Sequence, residues 1–169
     1  MKRVAIIVAQ NFQDEEFVYP YYRVMEAGLH VDVATPGGVD MPGKYGVPAR
    51  ATMDTKDLKA VDFDAVILPG GFESPDRLRI RKEVLQFVRE MDEMGKLVAA
   101  ICHGPWILIS AGVVEGRTVT GYMSIADDLK NAGAVYVEED TVIEGNFIST
   151  PHYRNNGTFM KAVIEALEG

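Results

Sequence analysis

The sequence predicts an α/β fold: a doubly wound, mostly parallel sheet sandwiched by helices. Two observations carry this prediction. Continuous apolar runs rich in Val, Ile and Ala appear at RVAIIVA, HVDVATP, DAVILPGG and KLVAAIC, as expected of strands buried on both faces. Between them lie segments of helical spacing that end at glycine. Strand and helix alternating in this way give a parallel sheet covered on both sides.

The elements follow in order. RVAIIVA opens the chain behind Lys2 and imitates a signal peptide, but the run breaks at Gln10 and acids follow at Asp14, Glu15 and Glu16. It reads as a first strand. DEEFVYPYYRVMEAG places Phe17, Tyr21, Val24 and Met25 at helical spacing and stops at Gly28. Pro20 lies inside that pattern and removes a backbone donor, which predicts a kink or a break. Asp14 to Glu16 would then form an exposed first turn beneath the sheet's carboxyl edge. HVDVATP is the second strand, and GKYGVPARATMD, between Gly37 and Thr55, predicts a small β excursion. After DAVILPGG, a helix beginning near Pro75 carries Val84, Leu85, Val88 and Met91 and stops at Gly95. KLVAAIC leads into a helix that stops at Gly112. RTVTGY returns to strand, SIADDLKNAGA is a short helix, and VYVEEDTVIEGNFIST predicts a β-hairpin turning at Glu144-Gly145-Asn146. NGTFMKAVIEALEG closes the chain as a helix. No repeat, linker or low-complexity segment interrupts it, so one domain over residues 1–169 is expected.

Composition narrows the function. Of 169 residues, 47% are apolar and 25% charged, which excludes disorder. The net charge of −8 and the absence of a Lys/Arg cluster argue against nucleic acid or an anionic membrane as partner. No apolar run approaches the roughly 20 residues of a membrane helix. A single cysteine makes no internal disulfide, and a cytoplasmic location is expected. Three histidines and that cysteine show no metal-ligand spacing, and no cofactor is implied.

The cysteine, Cys102, stands where KLVAAIC turns into the following helix. In open α/β sheets, ligands bind outside the carboxyl ends of the strands. A nucleophile on such a turn is presented above the sheet. The helix's leading N–H groups are expected to lower the thiol's pKa and to hold an oxyanion. The alternative is a small buried hydrophobe, the commonest role of a free cysteine.

AICHGPWILISAGV, preceded by VILPGG, resembles the PfpI family of intracellular proteases, part of the superfamily of the Parkinson-associated deglycase and the glyoxalase III enzymes. NFQDEEFVYPYYRVMEAGLHVDVATP resembles the family's opening, GKYG its β excursion and GYMSIADDLKNAGA its later helix. The resemblance spans nearly the whole chain and implies a flavodoxin-like sandwich.

It also implies roles. Cys102 matches the family nucleophile and His103 its histidine. Glu16 matches a glutamate lying against the thiol, where a protonated carboxyl donates a hydrogen bond to sulfur. Gly71 and the His103 backbone match the oxyanion donors, and Tyr122 the active-site tyrosine; a tight turn and a core tyrosine are their plain structural readings. The third acid, supplied in the family by a neighbouring subunit, matches Asp76 best, with Glu73 as alternative; either serves equally well as a helix-capping acid. A homo-oligomer, dimer or hexamer, is therefore expected.

Two departures bear on the pocket. Gln13 stands where the family has another acid, with Glu15 beside it. Pro151 stands where the family has arginine, in STPHYRNN, leaving His152 and Arg154 as the nearby polar groups. His152 also tests a class I glutamine amidotransferase reading, since that fold uses a distant His-x-Glu; here Arg154 occupies the glutamate's place. Three functions remain. The favoured one is a cysteine-dependent hydrolase or lyase of glyoxals or glycated protein adducts. The others are an intracellular cysteine peptidase and a non-enzymatic redox-sensing stress protein or chaperone. The expected partners are a small aldehyde, a glycated protein or a peptide.

Overall fold

Runs of Val, Ile, Leu and Ala with no polar break leave both faces of a strand without water-compatible side chains, so helices must cover both. In the computed structural model, which describes residues 1–169, they do. The strands are β1 (Arg3–Ile7), β2 (His30–Thr35), β3 (Met41–Pro42), β4 (Pro48–Ala49), β5 (Met53–Asp54), β6 (Ala65–Leu68) and β7 (Leu97–Ile101). They continue as β8 (Thr118–Val119), β9 (Val135–Tyr136), β10 (Val142–Glu144) and β11 (Phe147–Thr150). The helices are α1 (Asp14–Glu26), α2 (Glu73–Leu78), α3 (Lys82–Glu93), α4 (Pro105–Ala111), α5 (Ala126–Asn131) and α6 (Asn156–Glu168).

The main sheet has the order β10-β11-β7-β6-β1-β2-β5 and is parallel except for β10, which pairs antiparallel with β11 at the edge. Side chains alternate between the two faces as the strand period requires. Ala5, Ile7, Val66, Leu68, Val98 and Ala100 join Phe63, Phe87, Met91 and Leu108 in one buried layer. Val4, Ile6, Ile67, Ala99 and Ile101 join Phe17, Val24, Phe159 and Ile164 of α1 and α6 in the other.

The chain runs from β1 outward to β2, then returns to place β6 on the other flank of β1. Strand order reverses there, and the crevice at such a reversal is where open α/β sheets bind ligands. The segments after β1, β6 and β7 all end in that crevice, carrying Glu16, Gly71 and Cys102.

Four expectations are corrected. Pro20 neither ends nor splits α1, which runs unbroken from Asp14 to Glu26 with Pro20 buried on its inner face beside Phe17 and Val24; packing outweighs the one lost hydrogen bond. Asp14 and Glu16 are buried in the first turn, and only Glu15 is exposed. The long helix expected from Pro75 to Gly95 is two, α2 and α3, separated at Arg79–Arg81, where Arg79 and Arg81 N–H groups close turns onto Pro75 and Leu78 carbonyls. The expected hairpin is shorter: β10 and β11 form it, turning through Gly145, whereas β9 pairs parallel with β8 in a separate two-stranded sheet.

Candidate active site

Cys102 follows β7 directly with φ +58°, one of only two non-glycine residues in the left-handed region; the other is Asn11, just past β1. Such a backbone costs on the order of 1–3 kcal/mol and persists where the surroundings over-determine it. Those surroundings are tight. The Cys102 N–H donates to Thr150 O at 2.9 Å, and its carbonyl accepts from Tyr122 N at 2.8 Å. The thiol lies largely buried (8% exposed) and opens on a cavity of about 340 Å³. Glu16, Gly71, His103, Tyr122 and His152 line the same cavity. Six residues singled out in the sequence therefore meet at one place.

Adjacent side chains ordinarily point in different directions, but here the left-handed turn at Cys102 leaves the His103 ring against the sulfur. His103 Nδ1 lies 3.3 Å from Cys102 Sγ, and its Nε2 lies 3.3 Å from Ser124 Oγ. The ring stacks on Tyr122 with centroids 5.2 Å apart and meets Trp106 edge-on at 5.0 Å. Burial, then the charge of Lys44, lower the His103 pKa, so the imidazole is neutral at pH 7 and free to accept a proton.

Glu16 is wholly buried. Its Oε1 accepts the Gly70 N–H at 3.0 Å, while Oε2 has no partner within the protein. Burial pushes the carboxyl from its ordinary 4.5 up to about 8, against the pull of the Gly70 N–H. Glu16 is thus mostly protonated at neutral pH, but its free Oε2 makes no hydrogen bond to the Cys102 sulfur, contrary to the expected contact. Gly70 has to be glycine, since a Cβ there would lie 2.6 Å from Glu16 Oε1 and 2.9 Å from the Cys102 Cβ.

The thiol itself departs from expectation. Burial raises its pKa and the charge of Glu16 raises it further, outweighing the downward pull of the His103 and Gly71 N–H groups and of Lys44. Helix α4 does not supply the expected anion site. Its leading amides are engaged locally: Gly104, Trp106 and Ile107 donate to the carbonyls of Ile101, His103 and Gly104, and Pro105 has no N–H. The His103 and Gly71 N–H groups face the sulfur instead, and no backbone carbonyl takes them. Both groups are pushed toward their neutral forms, so the site resists holding two negative charges at once.

Asp76 stands apart. It is exposed on α2 and does not line the cavity within its own chain. Glu73 is turned elsewhere, accepting from Asn11 Nδ2 at 2.9 Å and pairing with Arg77 at 3.2 Å. His152 lines the cavity, with its Nδ1 accepting the Arg154 N–H at 3.2 Å, but Arg154 and Pro151 face a second cavity next to the first. Gln13 lines the rim and donates to Glu15 at 2.7 Å.

Lys44 was not singled out, though it is the one cation on the cavity wall. It projects from the GKYG turn, with its Nζ 5.6 Å from the centre of the Phe72 ring. The Asp14 carboxylate fixes that turn by accepting the Tyr45 and Val47 N–H groups, each at 3.1 Å. The sequence signal was a lysine flanked by glycine in a loop at the sheet's carboxyl end, after an acid in the first turn of α1. Ser124 carried no signal of its own.

The family profile described as the DJ-1/PfpI family matches residues 2–166. The chain belongs to that family. Relatives within it include "Deglycase PfpI" of Pyrococcus furiosus, 36% identical over 98% of this chain and 99% of that protein. "Putative cysteine protease YraA" of Bacillus subtilis is 38% identical over 88% of each. Among solved structures, a two-domain Anabaena variabilis protein containing DJ-1/ThiJ/PfpI-like and ferritin-like domains superposes with a TM-score of 0.97 at 37% identity; the match covers 99% of this chain and 48% of that one. Drosophila melanogaster DJ-1beta superposes with a TM-score of 0.92 at 28% identity, covering 98% of this chain and 90% of that one. Names within the DJ-1/PfpI family thus point to a hydrolytic enzyme.

Proposed function

We propose that the chain is a cysteine-dependent hydrolase or lyase of glyoxals or of their adducts on amines, with Cys102 as nucleophile. The observation that carries this reading is the pairing of a strained, cavity-facing thiol with a buried carboxyl whose pKa of about 8 lets it hold or release a proton near neutrality. A cavity of about 340 Å³ suits a small carbonyl compound.

In this mechanism neutral His103 takes the thiol proton as sulfur bonds to the aldehyde carbon of methylglyoxal. That proton passes to the aldehyde oxygen, which lies against the Gly71 and His103 N–H groups, giving a hemithioacetal. Glu16, in its ionised fraction, removes the proton from C1 and returns it to C2, while the C1 hydroxyl proton moves to the C2 oxygen. The product is a thioester, already at the oxidation level of an acid, so no outside oxidant is required. Water cleaves it to lactate and the free thiol. A hemiaminal adduct enters the same route by releasing its amine and the aldehyde. Asp76 of a second copy is proposed to approach the cavity of its neighbour in a homo-oligomer.

The test is lactate formation from methylglyoxal. Cys102→Ala abolishes it, and Glu16→Gln lowers kcat by roughly 100-fold or more, the usual worth of a general acid–base group. Absence of lactate from the unaltered protein overturns the reading. A second reading, peptidase action, draws on the same two N–H groups and on the His103–sulfur approach of 3.3 Å, the geometry of an acyl-transfer site. Cleavage of fluorogenic peptides that is lost with Cys102→Ala is its test.

A further inference from the structure

Aromatic contacts on several sides hold the His103 imidazole in its plane. It stacks on Tyr122 at an interplanar angle of 28°, while Trp106 meets it at 70° and Phe72 at 68°. Trp106 is itself fixed, since its Nε1–H donates to Asp128 Oδ2 at 2.9 Å. These contacts leave two things open. A half-turn about the Cβ–Cγ bond keeps the same plane but exchanges each ring nitrogen for a carbon. A neutral imidazole also carries its one hydrogen on either nitrogen.

The polar partners close both questions. The ring accepts the thiol hydrogen only with a bare Nδ1 toward the sulfur, and Nδ1 lies 3.3 Å from Cys102 Sγ. The ring hydrogen then stands on Nε2 and calls for an acceptor. Within the chain Ser124 Oγ, at 3.3 Å, is the group that meets Nε2. Asp128 acts on His103 by its charge, but its near oxygen is taken by Trp106. The backbone keeps Ser124 in place. It lies in a short helical turn, Met123–Ile125, that is pinned at both ends. Before it, the Tyr122 N–H donates to Cys102 O at 2.8 Å; after it, the Ile125 N–H closes the turn onto Tyr122 O at 3.0 Å. The Ile125 side chain is wholly buried in the core layer that holds Leu108 of α4 and Leu129 of α5. The residue that bears the thiol therefore also anchors the turn that bears Ser124.

We propose that Ser124 is the positioning residue of the Cys102–His103 pair: its hydroxyl oxygen accepts the Nε2 hydrogen and so holds the ring in the one orientation and tautomer that leave Nδ1 bare toward the sulfur. The proposal rests on the reading of Cys102 as nucleophile and His103 as its base. Ser124 then fills the third place in a nucleophile, base and orienting-group arrangement, with a neutral hydroxyl of the same chain where such sites commonly use a carboxylate. Neutrality has a consequence. A carboxylate at Nε2 would favour the charged imidazolium, whereas a hydroxyl leaves the ring neutral and able to take a proton. Ser124 moves no proton itself. When the thiol hydrogen reaches Nδ1, the Nε2 hydrogen stays on Ser124 Oγ and the ring keeps its place.

Long-range nitrogen–proton correlation spectra of the full chain at pH 7 read the tautomer of each of its three histidines, with His30 and His152 as internal references. His103 shows the Nε2–H form in the unaltered chain. Ser124→Ala moves it toward a mixture of tautomers, and Ser124→Thr, which keeps the hydroxyl, does not. Iodoacetamide alkylation of Cys102, the chain's one thiol, slows about two- to tenfold in Ser124→Ala, the worth of one hydrogen bond, and keeps its rate in Ser124→Thr. Ser124 is exposed, so an unchanged melting temperature verifies the fold. An Nδ1–H form in the unaltered chain, spectra and rates untouched by Ser124→Ala, or equal changes in Ser124→Thr each overturn the assignment. So does a tautomer shift produced by Asp76→Asn and not by Ser124→Ala, which would give the place at Nε2 to an acid of a neighbouring copy. Neither readout needs turnover, and His103→Ala separates the two failures. If it alkylates as fast as the unaltered chain, the reading of His103 as base fails; if it slows while Ser124→Ala does not, only the role of Ser124 fails.

Discussion

The two ends of the central sheet treat their buried acids in opposite ways. At the amino end, Asp32 of β2 accepts from Arg3 Nε at 2.6 Å and Thr52 Oγ1 at 2.9 Å, with His30 Nε2 at 3.2 Å. Burial opposes its charge, but these partners outweigh burial and hold the carboxyl below its ordinary range. At the carboxyl end, Glu16 receives one backbone N–H, keeps an unpartnered Oε2 and rises to about 8. The sheet thus has a satisfied acid at one end and, in the first turn of α1, a frustrated one at the other. Strained backbone follows the same division: Cys102 and Asn11, with φ of +58° and +57°, both sit at the carboxyl end. Frustration is retained where a ligand resolves it, which is how a functional site differs from a scaffold.

The sharpest way to break this contrast is pH. Glu16 has a folded pKa above its unfolded one, so the folded state holds an extra proton between about pH 4.5 and 8. Stability is then greatest below about pH 4.5 as far as this group is concerned, and falls as pH rises through 8. The full difference is on the order of 4–5 kcal/mol. Urea melts of Glu16→Gln against the unaltered chain, from pH 5 to 9, should show the variant gaining relative stability across that range. A constant difference would mean that Glu16 is not protonated by burial.

Gly71→Ala attacks the backbone that shapes the site. Its φ is +73°, and a Cβ there would lie 2.4 Å from the Gln13 amide nitrogen and 2.8 Å from Asn11 O, both main-chain atoms that cannot swing aside. We expect a loss of about 2–4 kcal/mol in thermal or urea unfolding, from positive-φ strain plus displacement of the loop after β1. A loss below about 1 kcal/mol would show that the carboxyl end is more compliant than the contrast implies.

How much of this was legible depended on whether the cause was local. The parallel sheet announced itself because doubly buried strands must be apolar throughout, and the turn at Cys102 because a strand run and a helix run abut there. Glu16, Gly71, Cys102, His103, Tyr122 and His152 were all named, chiefly through the family resemblance, and one cavity gathers them. Lys44 escaped because its place depends on Asp14 reaching across to the amides of Tyr45 and Val47, a contact between segments some thirty residues apart. The direction of the thiol's pKa was misread for a similar reason. Helix position favours an anion, but burial and the charge of a carboxyl brought from α1 oppose it, and neither is visible around position 102. Pro20 shows the converse: a strong local signal overridden by packing against the sheet.

Asp32→Asn gives the smallest effect and completes the comparison from the satisfied end. The amide keeps the shape of the carboxyl but loses its charge-assisted bonds to Arg3 and Thr52. Solvent at the sheet's rim screens the pair, so the cost is about 1 kcal/mol at pH 7. The sign is opposite to that of Glu16. A carboxyl with a lowered folded pKa contributes stability above its unfolded value and loses it as pH falls through the folded one. The unaltered chain and Asp32→Asn should therefore differ at pH 7 and converge as pH falls through the lowered folded value of Asp32, whereas Glu16→Gln diverges from the unaltered chain toward alkaline pH. Urea melts at both extremes read the two slopes in the same buffers. If both acids gave slopes of the same sign, the sheet's two ends would not differ in the way their hydrogen bonds require.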